Sequence, residues 1–240
     1  MPSLETTAPW SFCFRRSLGE TRAVIASRGG PGAKQVAFAE NEVFRGANWL
    51  YTRAPRMTSE RKIEAIARLA STHQAGSSSI LSLAAASYGA RPALDDATMP
   101  TGFDANAVRL FESIIEAAFL VACADGVFDS EERVAFERIV TLACGGSVPQ
   151  RQIEELVTDL SAQLASDGID ARLQVVCAPL RRPEHSLEVL RVASLVAQVS
   201  EGVHDRELDV LRKTAAAAGL GEADVQKTLE EAAAQLRAKA

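Results

Sequence analysis

The sequence predicts an all-α helical bundle in which two helix, acidic turn, helix units repeat, preceded by a poorly structured N-terminal extension. Three observations predict it. Apolar residues recur at helical spacing along most of the chain after residue 103, and no alternating strand pattern bounded by turns occurs there. The stretch CADGVFDSEER at 123–133 also returns as SEGVHDRELDV at 200–210. Gly202, Val203, Asp205 and Glu207 stand where Gly126, Val127, Asp129 and Glu131 stand in the first copy.

Composition divides the chain. Residues 1–56 hold eight Arg/Lys against four Glu, a balance of +4, so the remainder carries -9 of the net charge of -5. The same stretch holds seven of the thirteen aromatics and no Asp, and nothing joins its short apolar runs into a recognisable unit. It is expected to be an upstream translation extension or a disordered arm, because Met57 opens the first clear helical pattern. Residues 57–102 are expected to form an amphipathic helix or helices followed by a Pro/Gly linker. Residues 103–240 are expected to form the compact domain.

Each element has its own signal. TSERKIEAIARLAS places Ser59 ahead of Ile63, Ile66 and Leu69 at spacings of three, with Arg61, Lys62 and Arg68 opposite them. A short helix is expected over 80–88 after the AGSSS break, and GARPALDDATMPTG at 89–102 has the prolines and glycines of a linker. Phe111, Ile114, Ile115 and Ala118 then form one stripe, which Val134, Ile139 and Leu142 continue beyond the first acidic turn. Ile153, Leu156, Val157, Leu160 and Leu164 mark a further helix, and Asp170 to Leu180 a shorter one. Pro183 opens a second strong stripe of Leu187, Leu190, Ala193, Val196 and Ala197. The last two helices are split at Gly219 to Gly221.

Several function classes are disfavoured. A net charge of -5 and a pI near 5.4 supply no broad basic face for phosphates, so nucleic acid is not an expected partner. No apolar run is long enough to span a bilayer, and PWSFCF at 9–14 precedes its arginines, opposite to a secretory signal, so a cytoplasmic location is expected. Helix 59–71 has too few basic and apolar anchors to establish peripheral membrane contact. Cys13, Cys123, Cys144 and Cys177 show no CxxC pairing, and three of them lie within apolar helical patterns, as buried thiols do. Carboxylates near Cys123 make it a poor nucleophile. ASRGGPGAK at 26–34 lacks the spacing of a phosphate loop.

The repeated turn supports two readings. In the structural one, each glycine takes a positive φ, Asp129 and Asp205 cap the following helices, and Glu131, Glu132 and Glu207 favour the positive helix ends. In the functional one, the two turns meet about a pseudo-twofold axis, and Asp125, Asp129, Glu131, Glu132, Glu201, Asp205 and Glu207 offer oxygen ligands to a hard divalent cation. Neither turn alone is an EF-hand, because Val121 and Cys123, or Ala197 and Val199, occupy positions that need oxygen ligands. His204 lies inside the second turn, where a solvent-exposed residue is expected.

The segments FESIIEAAFLVACADGVFDSEERVAFERIVTLA and SLEVLRVASLVAQVSEGVHDRELDVLRKTAAAAGL, with GLGEADVQKTLEEA at the close, resemble the TerB family of tellurite-resistance-associated bacterial domains over about residues 104–238. The resemblance implies an all-helical bundle and a role in metal-linked or general stress responses through partner proteins, with no enzymatic chemistry. By position, Asp125, Gly126 and Glu131 or Glu132 match the first motif, and Gly202 and Glu207 the second. Ser200-Glu201 replaces Ala-Asp. The alternative expectation is a metal-free helical interaction scaffold.

Overall fold

The computed structural model describes residues 59–72, 77–91, 103–126, 128–200 and 202–239. These belong to one compact unit, residues 52–240. The expectations for residues 1–56, for residues 92–102 of the linker expected over 89–102, and for Glu201 fall outside the described residues; Gly89 belongs to α2.

The described chain is all-helical: α1 (Ser59–Ser71), α2 (Ile80–Gly89), α3 (Ala105–Ala122), α4 (Ser130–Ala143), α5 (Gln150–Asp167), α6 (Ile169–Cys177), α7 (Pro183–Val196), α8 (Asp205–Ala217) and α9 (Glu222–Lys239). α3 and α7 form the centre and pack on each other more extensively than any other pair. Phe111, Ile114, Ile115, Phe119 and Leu120 of α3 are almost fully buried, as are Leu190 and Leu195 of α7. Burial of each such side chain contributes about 1.5–3 kcal/mol. The N-terminal ends of α3 and α7 line one cleft and their C-terminal ends another, so the two central helices run parallel.

The compact unit begins well before Phe103, which corrects the expected boundary. Ile66 and Leu81 are buried in the same core as α3 and α7, and so is Tyr88, whose ring centroid lies 4.4 Å from that of Phe111. α1 packs on α4 and α7, and α2 on α3. Gly89 lets the end of α2 approach the turn between α4 and α5: a Cβ there would lie 1.8 Å from the Ser147 carbonyl oxygen.

One ion pair on α7 fastens the α1–α2 hairpin. Glu188, buried, accepts the Leu81 N–H at 3.1 Å and Arg191 Nε at 2.7 Å, while Arg191 donates to the carbonyls of Leu69 at 2.8 Å and Ala70 at 3.0 Å. Helix ends leave N–H groups without partners at the start and C=O groups at the finish. The pair satisfies such groups at the end of α1 and the start of α2 at once. Arg172 and Glu116, 2.6 Å apart and nearly buried, join α6 to α3 in the same manner.

Two apolar stripes are phased differently from the sequence expectation. In α4, Val134 (63% exposed) and Leu142 (45%) face outward, while Phe136, Ile139, Val140 and Ala143 face the core. The inward set has the stronger i, i+3, i+4, i+7 spacing and carries the aromatic. In α7, Leu187 is 40% exposed, whereas Val189, Val192 and Leu195 are buried beside the expected Leu190 and Ala193. α7 is covered on several sides, so a single stripe cannot describe it.

Candidate functional site

The two acidic turns lie at the C-terminal ends of the parallel helices α3 and α7. Since those ends are neighbours, the turns share a cleft of about 520 Å³, lined by Asp125 and Glu132 from the first unit and His204, Asp205 and Glu207 from the second. Phe136, Ile139, Val196 and Val199 form its apolar floor. Asp129 and Glu131 do not line it.

The first turn is closed by its own side chains. Gly126 has φ 86°, a conformation that favours glycine. Asp129 caps α4, its Oδ1 accepting the N–H of Glu131 at 2.8 Å and of Glu132 at 2.9 Å, and Glu132 Oε2 accepts the Asp129 N–H at 3.2 Å. This reciprocal capping box satisfies donors that would otherwise lack partners. Phe128 packs edge-on to Phe119 and Phe136, at 5.1 and 6.2 Å between ring centroids.

The second turn is built otherwise, and one expectation is corrected. The N-cap of α8 is His204, with Asp205 the first helical residue. Gly202, with φ 127°, therefore stands two residues before its cap, whereas Gly126 stands three before Asp129. Glu207 consequently matches Glu132 in role, not Glu131: its Oε2 accepts the His204 N–H at 2.7 Å. Ser200 Oγ also donates to the Gly202 carbonyl at 3.1 Å, and two further fastenings come from a distance. Lys62 of α1 donates to the Ser200 carbonyl at 2.6 Å, and Arg206 donates to the Asp125 carbonyl at 2.7 Å, which ties the two turns together. Lys62 and Arg206 were not foreseen as part of the site. Only the basic face of the amphipathic α1 and the arginine inside HDRE hinted at them.

Electrostatics follow this crowding. The Glu207 carboxyl has a raised pKa, first because burial disfavours its charged form and further because Asp125 and Glu132 are near; the His204 N–H opposes the shift. Cys123, beneath the first turn, is pushed up to about 12 by burial, with Glu132 and Asp125 adding to the effect.

Of the seven residues predicted to hold a cation, Asp125, Glu132, Asp205 and Glu207 are brought to one cleft. Asp129 and Glu131 lie outside its lining, and Glu201 falls outside the described residues. Among the described residues, no three or more His, Cys, Asp or Glu side chains are grouped closely enough to hold a metal ion. The Asp129, Glu132 and Glu207 oxygens already accept backbone N–H groups. These residues thus do not form a ready-made cation cage.

No helix among the described residues is long and apolar enough to cross a membrane. Comparison of the chain with protein-family models, curated proteins and solved structures finds no match.

Proposed function

We propose that the protein is a TerB-like, non-enzymatic module of a bacterial cytoplasmic stress response, recruiting a protein partner at the cleft between its two acidic turns. The observation that carries this reading is the shared cleft itself, with an apolar floor and carboxylates from both units at its rim. An apolar centre with a polar rim is how protein interfaces are commonly arranged. Among the described residues, Cys123, Cys144 and Cys177 are buried, and burial pushes their pKa values up to about 12, 12 and 11, which disfavours these three thiols as nucleophiles.

In this reading a divalent cation binds weakly, because Glu132 and Glu207 of the cleft carboxylates already accept main-chain N–H groups. A second reading, a metal-free interaction scaffold, is favoured by the engagement of Asp129, Glu132 and Glu207 as helix-end acceptors. Isothermal titration of the full chain with calcium, magnesium, manganese and zinc decides between them. Saturable binding with Kd of about 10⁻⁴–10⁻³ M, lost in an Asp125→Asn, Asp205→Asn variant that keeps the parental Tm, supports the cation. No heat from the parent at these concentrations removes it and leaves the scaffold.

A further inference from the structure

At the opposite end of the parallel pair, the N-terminal ends of α3 and α7 frame a cleft of about 780 Å³. It is within the size range of small-ligand sites. Ile80, Leu83 and Ala84 of α2, Leu110 of α3 and Leu180 give it an apolar wall, and Arg109, Arg181 and Arg182 stand on its rim.

These arginines differ from most others in the fold. Arg133, Arg138, Arg151, Arg172, Arg191 and Arg212 each pair with a carboxylate. Among the described residues Arg109, Arg181 and Arg182 have no ion pair. Glu112, one turn beyond Arg109, pairs with Arg91 at 3.6 Å and is also within reach of the Arg109 charge. Among the described residues the one carboxylate lining the cleft is Asp104, which is engaged in capping α3 through the N–H groups of Asn106 and Ala107. Three guanidinium groups line one cleft, where an anion gains attraction from each of them. Leu83 beside them is 64% exposed, which leaves an apolar side chain in water at the mouth of the cleft.

We propose that this cleft binds a single-chain anionic amphiphile, an acyl carboxylate being the simplest, with its head group on Arg109, Arg181 and Arg182 and its apolar body along Leu83, Leu110 and Leu180. The charge complementarity selects an anion, and the apolar wall selects a ligand with a hydrocarbon body over a bare inorganic ion. Arginine suits the head group because its fork donates two parallel hydrogen bonds to a carboxylate or phosphate. This site is separate from the acidic cleft and does not rest on the function proposed for it.

The test is isothermal titration of the full chain with decanoate, kept below its aggregation range, beside decanol and inorganic phosphate. Saturable decanoate binding is expected, with decanol and phosphate weaker. Loss of the guanidinium contacts in Arg181→Gln, Arg182→Gln is expected to weaken binding by about tenfold or more. A Leu83→Asp variant is expected to weaken it as well, which a site made of charge alone would not show. All three residues are exposed, so both variants are expected to keep the parental Tm. Equal binding by the arginine variant, equally tight decanol, or no binding of decanoate overturns the proposal. Sedimentation of the protein with anionic vesicles, without binding of free decanoate, assigns the arginines to a lipid surface and also overturns it.

Discussion

The first acidic turn and the second differ more in what fastens them than in sequence. The first is held locally: Asp129 and Glu132 exchange capping contacts, and Phe128 closes an aromatic cluster with Phe119 and Phe136. The second has a histidine at the cap position and no aromatic, and it leans on Lys62 from α1 and on the backbone contact between Arg206 and Asp125. A repeated motif therefore repeats a backbone path without repeating the energetics. The second copy became dependent on a helix that lies outside the repeat.

The largest effect expected is on the local side of this comparison. Phe119→Ala removes a fully buried ring and the partner of both other phenylalanines, and should destabilise the fold by about 3–5 kcal/mol in denaturant unfolding. Next comes the distant side. Glu188→Ala leaves Arg191 without its carboxylate and the Leu81 N–H without its acceptor, which should cost about 3 kcal/mol. Native-state hydrogen exchange sharpens the contrast: opening of α1 and α2 should raise exchange around Ser200 to His204 more than around Asp125 to Asp129. Equal increases at both turns would show that the second does not depend on α1.

Smaller effects follow from the caps. Asp129→Ala should cost about 1 kcal/mol, because two N–H groups of α4 lose their acceptor. His204→Ala should cost less than Asp129→Ala, because the contact of its main-chain N–H with Glu207 is kept in the variant. His204→Ser, which supplies a favoured cap without adding charge, should stabilise by about 0.5 kcal/mol. Thermal melts of the three variants measure the difference between the turns directly.

The smallest effect is a pH dependence. Because the pKa of Glu207 is raised in the folded state, proton binding there favours folding. Its contribution is present below the ordinary carboxylate value of 4.5 and is lost as pH rises through the raised value. Glu207→Gln keeps an acceptor for the His204 N–H but removes the titration. The stability of the variant relative to the parent should therefore rise across that interval, as read from denaturant unfolding at a series of pH values.

Much of the fold was legible before any coordinates. Ser59, Pro183 and the glycines at 126, 145, 146 and 219 mark helix ends through local backbone preferences, and those preferences survive in the structure. The cap of α4 was legible for the same reason, since Asp129 reaches N–H groups only two and three residues away. The cap of α8 was misplaced by one residue because the copies were matched by residue type. Glu207 takes the role of Glu132 only once the backbone is seen to start α8 at His204. The cleft carboxylates were named in advance, but Lys62 and Arg206 were not, because nothing in the local sequence says that α1 passes beside Ser200.

The sequence by itself determined the helical class, the order of the helices and the duplicated turns, all of which rest on interactions between residues a few positions apart. Tertiary structure alone decided that Glu188 would be buried and paired with Arg191, that Val134 and Leu142 would face solvent, and that α1 and α2 would complete the core. It also decided that the two turns would share one cleft while three arginines gathered at the other end. Periodicity reports which residues share a face of a helix; only the neighbouring helices determine which faces are covered, and with them the cost of each charge.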